Sequence, residues 1–311
     1  MMKILMLGAG GVGGYFGGRL VQAGADVTFL VREGRAAQLR GGLRIESPNG
    51  DATIPVKVIT ADAPKAEFDV IILSCKAYGL TGALEAIAPF VREGVAILPL
   101  LNGFGHLKQI EARFPDAIVW GGIAGVAASL TEDGVVRQML AFQTIGAGVR
   151  AGRSDGQATL ESLVAALKRA GIDAAVSDNV ERAMWEKWCF LATLAASTCL
   201  MRAPIGEILA TDHGETLITG LFEECNRTAS AEGWTPAPKP TQDYRDKLLE
   251  RGSNFTASMM RDMESGHATE ADHIIGDMIA RARRHGLETP LLQVAYSRLQ
   301  IHETRRRASG D

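Results

Sequence analysis

Short apolar runs alternate with amphipathic stretches in the first half of the chain. Residues 3–8 form an apolar run that ends in glycine, residues 13–23 show helical periodicity, and residues 26–31 form a second apolar run. This order predicts two parallel strands joined by a helix. Residues 68–74 and 95–98 predict further buried strands with a helix between them, so the alternation indicates a doubly wound parallel sheet.

The pattern changes twice along the chain. Residues 43–46 and 53–58 flank the turn sequence SPNG, which predicts a hairpin at the surface. Near residue 175 the alternation stops, and helical periodicity continues to residue 307. The sequence therefore predicts the α/β class: a Rossmann-type doubly wound parallel sheet in residues 1–177, followed by an all-helical C-terminal domain in residues 178–311.

Composition narrows the functional class. The chain has 311 residues, of which 46% are hydrophobic and 22% charged, and its net charge of -3 disfavours nucleic acid and acidic membranes as partners. The apolar run at residues 4–7 is too short for a secretory signal, and residues 188–201 are too few to span a bilayer. The cysteines form no CxxC pair and the histidines no close ligand spacing. We therefore expect a cytoplasmic protein without a metal.

The clearest chemical motif is a glycine-rich loop. It reads Gly8-Ala9-Gly10-Gly11-Val12-Gly13. The loop fits the pattern GxGxxG and lies directly between a predicted strand and a predicted helix. Gly8 permits the tight turn, Gly10 lets a pyrophosphate approach the backbone, and Gly13 lets the helix pack against the strand. A turn without a ligand is the alternative, but this context predicts a dinucleotide-binding loop whose six residues contact the phosphates.

The end of the second predicted strand bears on which dinucleotide binds. NAD sites usually carry Asp or Glu there, to accept hydrogen bonds from the ribose hydroxyls. Here the chain reads Val31-Arg32-Glu33. The Arg32 guanidinium suits the 2′-phosphate of NADP because it is planar, fully charged and able to donate two hydrogen bonds at once. We predict NADP(H) as the cofactor, and Glu33 keeps NAD open as the alternative.

Five further motifs follow in order. Lys76 lies in SCKAY, Asn102 in LNGFG and Lys187 in AMWEK, while Ser258 begins SMMRD and Glu270 lies in TEAD. Together with the glycine loop, this series resembles the ketopantoate reductase family, the 2-dehydropantoate 2-reductases. The resemblance covers nearly the whole chain, and its ordered motifs are much more specific than GxGxxG alone.

The resemblance implies a catalytic pair and a substrate site. Lys187 matches the family's general acid, which donates a proton to the substrate oxygen. Glu270 matches the carboxylate that orients the substrate hydroxyl. Ser258 matches a residue that binds the substrate carboxylate, and Asn102 matches the asparagine between nicotinamide and substrate. The implied substrate is a small 2-oxo acid.

The resemblance also implies cofactor contacts outside the glycine loop. Arg32 and Lys76 match the family's cationic contacts to the dinucleotide, and Asn102 again touches the cofactor. Ala127, in the strand that follows Gly121-Gly122, matches a further backbone contact. With the loop, these residues make up the predicted NADP(H) site.

Each matched residue also has an ordinary structural interpretation. Lys187 alone could be a solvated helix lysine. Glu270 could occupy the first turn of a helix capped by Thr269, with Asp272 as the matching acid. Asn102 before a glycine is a common turn pair. Only the ordered set favours the functional interpretation.

The substrate helix departs from the family pattern. The family carries asparagines four, eight and eighteen residues after the catalytic lysine, where this chain has Leu191, Ala195 and Ile205. Apolar side chains at the substrate-binding positions Leu191 and Ala195 cannot bond a substrate hydroxyl. The sequence thus predicts a less polar 2-oxo acid, or poor reduction of ketopantoate, unless Thr193 or Thr198 donates from another helical face.

The sequence as a whole predicts NADPH-dependent reduction of a small 2-oxo acid, 2-dehydropantoate or a less polar relative. One alternative is a β-hydroxy acid or opine-type dehydrogenase, which shares the domain order. Another is a non-catalytic NADP(H)-binding sensor whose helical domain contacts a partner. The pathway, including pantothenate biosynthesis, and the oligomeric state, including a homodimer, stay open.

Overall fold

The computed structural model describes residues 1–64, 66–152 and 155–309. The chain divides into two compact units, Met1–Glu181 and Arg182–Asp311. The first unit contains a parallel sheet with helices, and the described part of the second is helical. The predicted fold class is therefore confirmed.

The first unit contains eleven strands within its described residues. In chain order they are β1 (Lys3–Leu7), β2 (Asp26–Leu30), β3 (Leu43–Glu46), β4 (Ala52–Ile54), β5 (Lys57–Ile59), β6 (Val70–Leu73), β7 (Ala96–Pro99), β8 (Ile118–Val119), β9 (Gly121–Leu130), β10 (Val136–Gly148) and β11 (Asp173–Val176). Its α-helices are α1 (Gly11–Gln22), α2 (Glu33–Gln38), α3 (Leu80–Ile87), α4 (Gly105–Arg113) and α5 (Gln157–Arg169). Short 3₁₀ turns lie at Leu39–Gly41, Ala77–Gly79 and Ala88–Phe90.

Six strands form a wholly parallel sheet in the order β5-β2-β1-β6-β7-β8. All four residues of β6 and the last four of β1 are buried, as expected for strands covered on both faces. From β1 the chain moves first to β2 on one side and later to β6 on the other. The gap between β1 and β6 is therefore a topological switch point, where doubly wound sheets bind ligands.

A second sheet has the order β11-β10-β3-β4, and β9 pairs antiparallel with β10. The hairpin of β3 and β4 is present as predicted. The prediction was wrong for residues 57–58, because β5 leaves the hairpin and joins the parallel sheet beside β2. Pro55 lies between β4 and β5, and its missing N–H favours the end of one ladder there. The apolar pattern predicts neither β10 nor β11.

Close approach holds helix α1 against both sheets. A Cβ added at Gly17 would lie 2.6 Å from the Phe29 ring, and one at Gly18 would lie 2.9 Å from Leu43. Tyr15 and Phe16 of the same helix are fully buried in the core of this unit. The glycines lower helix propensity, but their small size lets the helix pack closely.

The described part of the second unit consists of helices, and the first of them begins at Val180, at the end of the first unit. In chain order its helices are α6 (Val180–Met201), α7 (Ile205–Leu209), α8 (Gly214–Ala231), α9 (Pro238–Leu248), α10 (Ser258–Glu264), α11 (Asp277–Arg284) and α12 (Pro290–Ala308). A π-helical turn, Asp272–Gly276, directly precedes α11. The buried Glu224 carboxylate of α8 accepts hydrogen bonds from the N–H groups of Leu291 and Leu292. These groups lie in the first turn of α12, so Glu224 caps the N-terminus of that helix. Across the described ranges, each helix is too short or too polar to cross a membrane.

Candidate active site

The glycine loop between β1 and α1 is open at one residue and packed at another. Gly8 has a φ of +90°, so the turn needs a residue without a side chain. A Cβ at Gly13 would lie 2.1 Å from the Ser74 Oγ, whereas a Cβ at Gly10 would meet nothing within 4 Å. The backbone at Gly10 is thus accessible to a phosphate while Gly13 fixes the helix on the strand. These residues fit a dinucleotide pyrophosphate.

Strand β9 covers the other side of this loop. A Cβ at Gly11 would lie 2.5 Å from the Ala128 carbonyl oxygen, so β9 passes in direct contact with the start of α1. Ala127, the predicted backbone contact, is the half-buried neighbour of Ala128. Arg35 ties these parts together, since its Nε donates to the Ala9 carbonyl at 3.0 Å and its Nη1 to the Gly134 carbonyl at 2.9 Å. Sequence reasoning missed Arg35.

The other cofactor candidates lie at the carboxyl edge of the same sheet. Arg32 follows β2, Lys76 follows β6 and Asn102 follows β7, while the loop follows β1. These four strands are neighbours and run parallel, so their ends share one edge at the switch point. Arg32 and Glu33 are exposed, and Lys76 and Asn102 are half-buried. The structure therefore places the glycine loop and two cationic side chains at one edge of the sheet.

In the second unit, helix α6 presents the predicted acid. Lys187, Leu191 and Ala195 are spaced by four residues and share one helical face. Lys187 is half-buried, and burial lowers its pKa to about 8 against the opposing effect of the Glu270 charge. Glu186 directly precedes Lys187 in the chain. Its carboxylate accepts the Ala237 N–H at 2.8 Å, and burial raises its pKa. The carboxylate charge that raises the Lys187 pKa is that of Glu270.

The segment that carries Glu270 is held on both sides. Before it, the Thr269 N–H and hydroxyl donate to the Glu303 carboxylate at 2.7 and 2.8 Å. After it comes the π-helical turn, whose Asp272 carboxylate accepts the Tyr296 hydroxyl at 2.6 Å. Thr269 and Asp272 therefore contact α12, and the capping arrangement considered from the sequence was wrong.

Ser258 lies on a segment anchored to α6. It is exposed and begins α10, and the preceding Ala257 N–H donates to the Thr198 Oγ1 at 3.4 Å. The Thr198 hydroxyl itself donates to the Leu194 carbonyl at 2.6 Å, and the Thr193 hydroxyl donates to the Cys189 carbonyl at 2.8 Å. Both threonines are fully buried. Their hydroxyl hydrogens are used within α6, so they do not replace the missing asparagines.

The positions that depart from the family pattern have apolar surroundings. Ala195 and Ile205 are buried, and Leu191 is half-buried. Phe190, beside Leu191, stacks on Tyr244 with ring centroids 4.7 Å apart and faces Phe255 at 6.1 Å. The surroundings of these positions are thus apolar and aromatic, and Leu191 is the one of the three that is partly exposed.

The arrangement is suited to general acid catalysis by Lys187. A lysine with a pKa near neutrality keeps a transferable proton at physiological pH, and the Glu270 carboxylate supports the charged form. Within residues 1–64, 66–152 and 155–309, no three His, Cys, Asp or Glu side chains are grouped so that they could hold a metal ion.

Comparison with known proteins identifies relatives for both units. The family model described as "Ketopantoate reductase PanE/ApbA" matches residues 4–150, and its C-terminal counterpart matches residues 179–303. The Bacillus subtilis (strain 168) protein named "Uncharacterized oxidoreductase YkpB" is 36% identical over 304 residues, which cover 97% of this chain and 99% of that protein.

Two solved structures share the fold. That of 2-dehydropantoate 2-reductase from Geobacter metallireducens GS-15 has a TM-score of 0.86 and 30% identity, and the match covers 96% of this chain and 99% of that one. A ternary structure of D-mandelate dehydrogenase with NADH and anilino(oxo)acetate has a TM-score of 0.87 and 22% identity, with 98% and 99% coverage. The second shows a common fold alone.

Proposed function

This chain belongs to the ketopantoate reductase family of oxidoreductases, and on that premise we propose that it uses NADPH to reduce a small 2-oxo acid to the 2-hydroxy acid. The observation that carries the proposal is Lys187, whose pKa is about 8 and on which the Glu270 charge acts. Reduction of a ketone leaves negative charge on its oxygen, so the reaction needs a proton donor aimed there.

The second unit handles the proton in this mechanism. NADPH, when bound, supplies the hydride to the carbonyl carbon. Lys187 donates a proton from Nζ to the carbonyl oxygen and becomes a neutral amine, which regains a proton from water after product leaves. Burial makes the ammonium more acidic and Glu270 limits that effect, so Lys187 is mostly protonated at pH 7 and still able to donate. Ser258 binds the substrate carboxylate.

The first unit holds the dinucleotide. The N–H groups of the loop from Gly8 to Gly13 bind the pyrophosphate at the start of α1. Arg32 binds the 2′-phosphate, and Lys76 gives a second cationic contact to the dinucleotide; they follow the strands on either side of β1. Asn102 and the backbone of Ala127 contact the nicotinamide half. D-mandelate dehydrogenase is bound to NADH in a structure of the same fold, so NADH is tested beside NADPH.

The substrate we propose is less polar than ketopantoate. Leu191, Ala195 and Ile205 bring no hydrogen-bonding side chain, and the neighbouring Phe190 belongs to an aromatic stack. A site without hydrogen-bonding side chains gains no binding free energy from a substrate hydroxyl. The hydroxyl also loses its hydration water when it enters the site. A branched aliphatic or aromatic side chain is favoured instead. The aromatic ring of anilino(oxo)acetate in D-mandelate dehydrogenase supports the view that this fold accommodates such a group.

Steady-state kinetics test the proposal. We expect NADPH oxidation with 2-oxo acids that carry branched or phenyl side chains, with kcat/KM at least about 10-fold above that for ketopantoate. The double variant Leu191→Asn, Ala195→Asn should shift this ratio towards ketopantoate. Met201→Asn, at the exposed end of the same helix, is the matched control and should leave the ratio unchanged. A micromolar KM and clear preference for ketopantoate would refute the substrate assignment.

Oxidation of NADPH by any 2-oxo acid also excludes a purely nucleotide-binding role. The homodimer stays a prediction for the helical unit, and size-exclusion chromatography with light scattering measures it directly.

A further inference from the structure

Trp188 connects the two segments that carry the catalytic pair. It follows Lys187 in α6, and its side chain is only 1% exposed. Its indole Nε1 donates a buried hydrogen bond of 3.0 Å to the carbonyl of Ile274, which lies in the π-helical turn just after Glu270. The mechanism above does not use this contact.

The π-helical turn makes this segment different from a continuous α-helix. The Asp277 N–H bonds the Asp272 carbonyl five residues earlier, where an α-helix would use the residue four earlier. One extra residue in a turn offsets the face of the preceding residues by about 100°. The direction of Glu270 relative to α11 therefore depends on this widened turn. Gly276 lets the Tyr296 ring lie against this turn, since a Cβ there would lie 3.0 Å from the Tyr296 Oη.

A buried cation fixes the indole. The Trp185 and Trp188 rings lie 4.7 Å apart, and the Arg281 guanidinium lies 5.4 Å from each ring centroid. Arg281 also pairs with Glu232 at 2.6 Å and with Asp277 at 3.1 Å. Asp277 is the first residue after the π-helical turn, so Arg281 joins the indole to the end of that turn. The side chain of Arg281 is 12% exposed, which strengthens such contacts.

We infer that Trp188 is a positioning residue whose hydrogen bond to Ile274 sets the placement of Glu270 relative to Lys187. The inference rests on the proposed function, in which Lys187 is the proton donor. With Thr269 held by Glu303 on one side and Ile274 held by Trp188 on the other, Glu270 has little freedom. Loss of the indole N–H removes the bond from α6 and leaves this segment with its contacts to α12 at Thr269 and Asp272.

The first test is Trp188→Phe, which removes the donor and keeps an aromatic ring. We expect kcat to fall about 10-fold, because small misplacement of a catalytic group is costly, while the KM for NADPH stays unchanged. The alkaline limb of the kcat profile should move to lower pH, since a displaced Glu270 supports the Lys187 charge less. Ser197→Ala, which removes a buried hydrogen bond within the same helix, is the control. It should change neither kcat nor the pH of the alkaline limb.

A direct measurement separates this inference from the proposed function. Reductive ¹³C-methylation of lysines keeps their charge, and Lys187→Arg identifies the Lys187 signal by NMR. We expect a pKa near 8 in the wild type and a lower value in Trp188→Phe. An unchanged Lys187 pKa in Trp188→Phe overturns the positioning role. If the wild type reduces no 2-oxo acid, the proposed function fails while this titration still decides the role of Trp188.

A second variant guards against a folding defect. Replacement of Trp188 by 3-benzothienylalanine puts sulfur in place of the N–H and preserves the shape of the ring system. The Lys187 pKa should fall in this protein as in Trp188→Phe, with a melting temperature close to that of the wild type. A folded variant that keeps the wild-type pKa contradicts the inference.

Discussion

The glycine loop of the first unit and the Lys187 site of the second unit obtain their geometry in different ways. The loop depends on backbone: Gly8 turns, Gly10 stays open and Gly13 packs, all within six residues. The Lys187 site depends on side chains from distant segments, since Trp188 and Ile274 are 86 residues apart. The proposed cofactor binding and proton transfer should therefore fail separately when each region is altered.

Lys187→Met should have the largest effect and should be confined to chemistry. Loss of a general acid typically costs about 10²–10⁴ in rate, so kcat should fall by that factor. The Kd for NADPH, measured by fluorescence titration, should stay within twofold because Lys187 lies outside the loop. Loss of NADPH binding in parallel with kcat would break the separation.

The proposed role of Lys187 also predicts the pH dependence of the wild type. Its pKa is lowered to about 8 by burial, and the donor must be protonated to act. The wild-type kcat should therefore be flat below this pKa and fall as pH rises through it. A limb near the ordinary lysine pKa would contradict the role of burial at this site.

Two substitutions in the loop should separate phosphate binding from helix packing within the first unit. Gly10→Ala places a methyl group in open space, so stability should hold while the Kd for NADPH rises about 10-fold, because the pyrophosphate needs that space. Gly13→Ala collides with Ser74 and should lower the free energy of unfolding by about 1–3 kcal/mol. Gly82→Ala, also in open space but in α3, is the control for both. Equal effects at Gly10 and Gly82 would remove the phosphate assignment.

Arg32→Ala should have a selective effect, confined to one of the two nicotinamide cofactors. A charged hydrogen bond contributes about 1.5–3 kcal/mol, so the KM for NADPH should rise about 10-fold or more while that for NADH changes little. Arg40→Ala, further along and also exposed, is the control. If NADH is the better cofactor of the wild type, Glu33 rather than Arg32 decides the preference.

The sequence predicts the parts of this molecule that are set by local pattern. The buried strands β1, β2 and β6 follow from apolar runs, and the family follows from motifs in fixed order. The departure of β5 from the predicted hairpin was not foreseen, because residues 57–59 carry too short a pattern to show which sheet they join. Strand β10 was not predicted either. Its exposed apolar residues Met139 and Leu140 interrupt the alternation of apolar and polar residues that is typical of a half-buried strand.

The candidate site shows the same limit. The placement of Arg32, Lys76 and Asn102 at one sheet edge follows from parallel strands and could be anticipated. The contacts of Arg35, Trp188 and Glu303 could not, since each joins residues far apart in the chain and no local motif marks them. The sequence also could not show that the hydroxyls of Thr193 and Thr198 are used inside α6.

Because of the π-helical turn, the number of residues in Asp272–Gly276 should matter for function as well as their identity. Deleting one residue between Asp272 and Gly276 would allow a regular α-helix and would swing Glu270 by roughly a quarter of a turn. Lys187 and Glu270, the proposed catalytic pair, would then both remain in the sequence while their alignment was lost. A relative that matches at Lys187 and Glu270 but is one residue shorter in this turn should therefore be judged by its spacing before its residue identities.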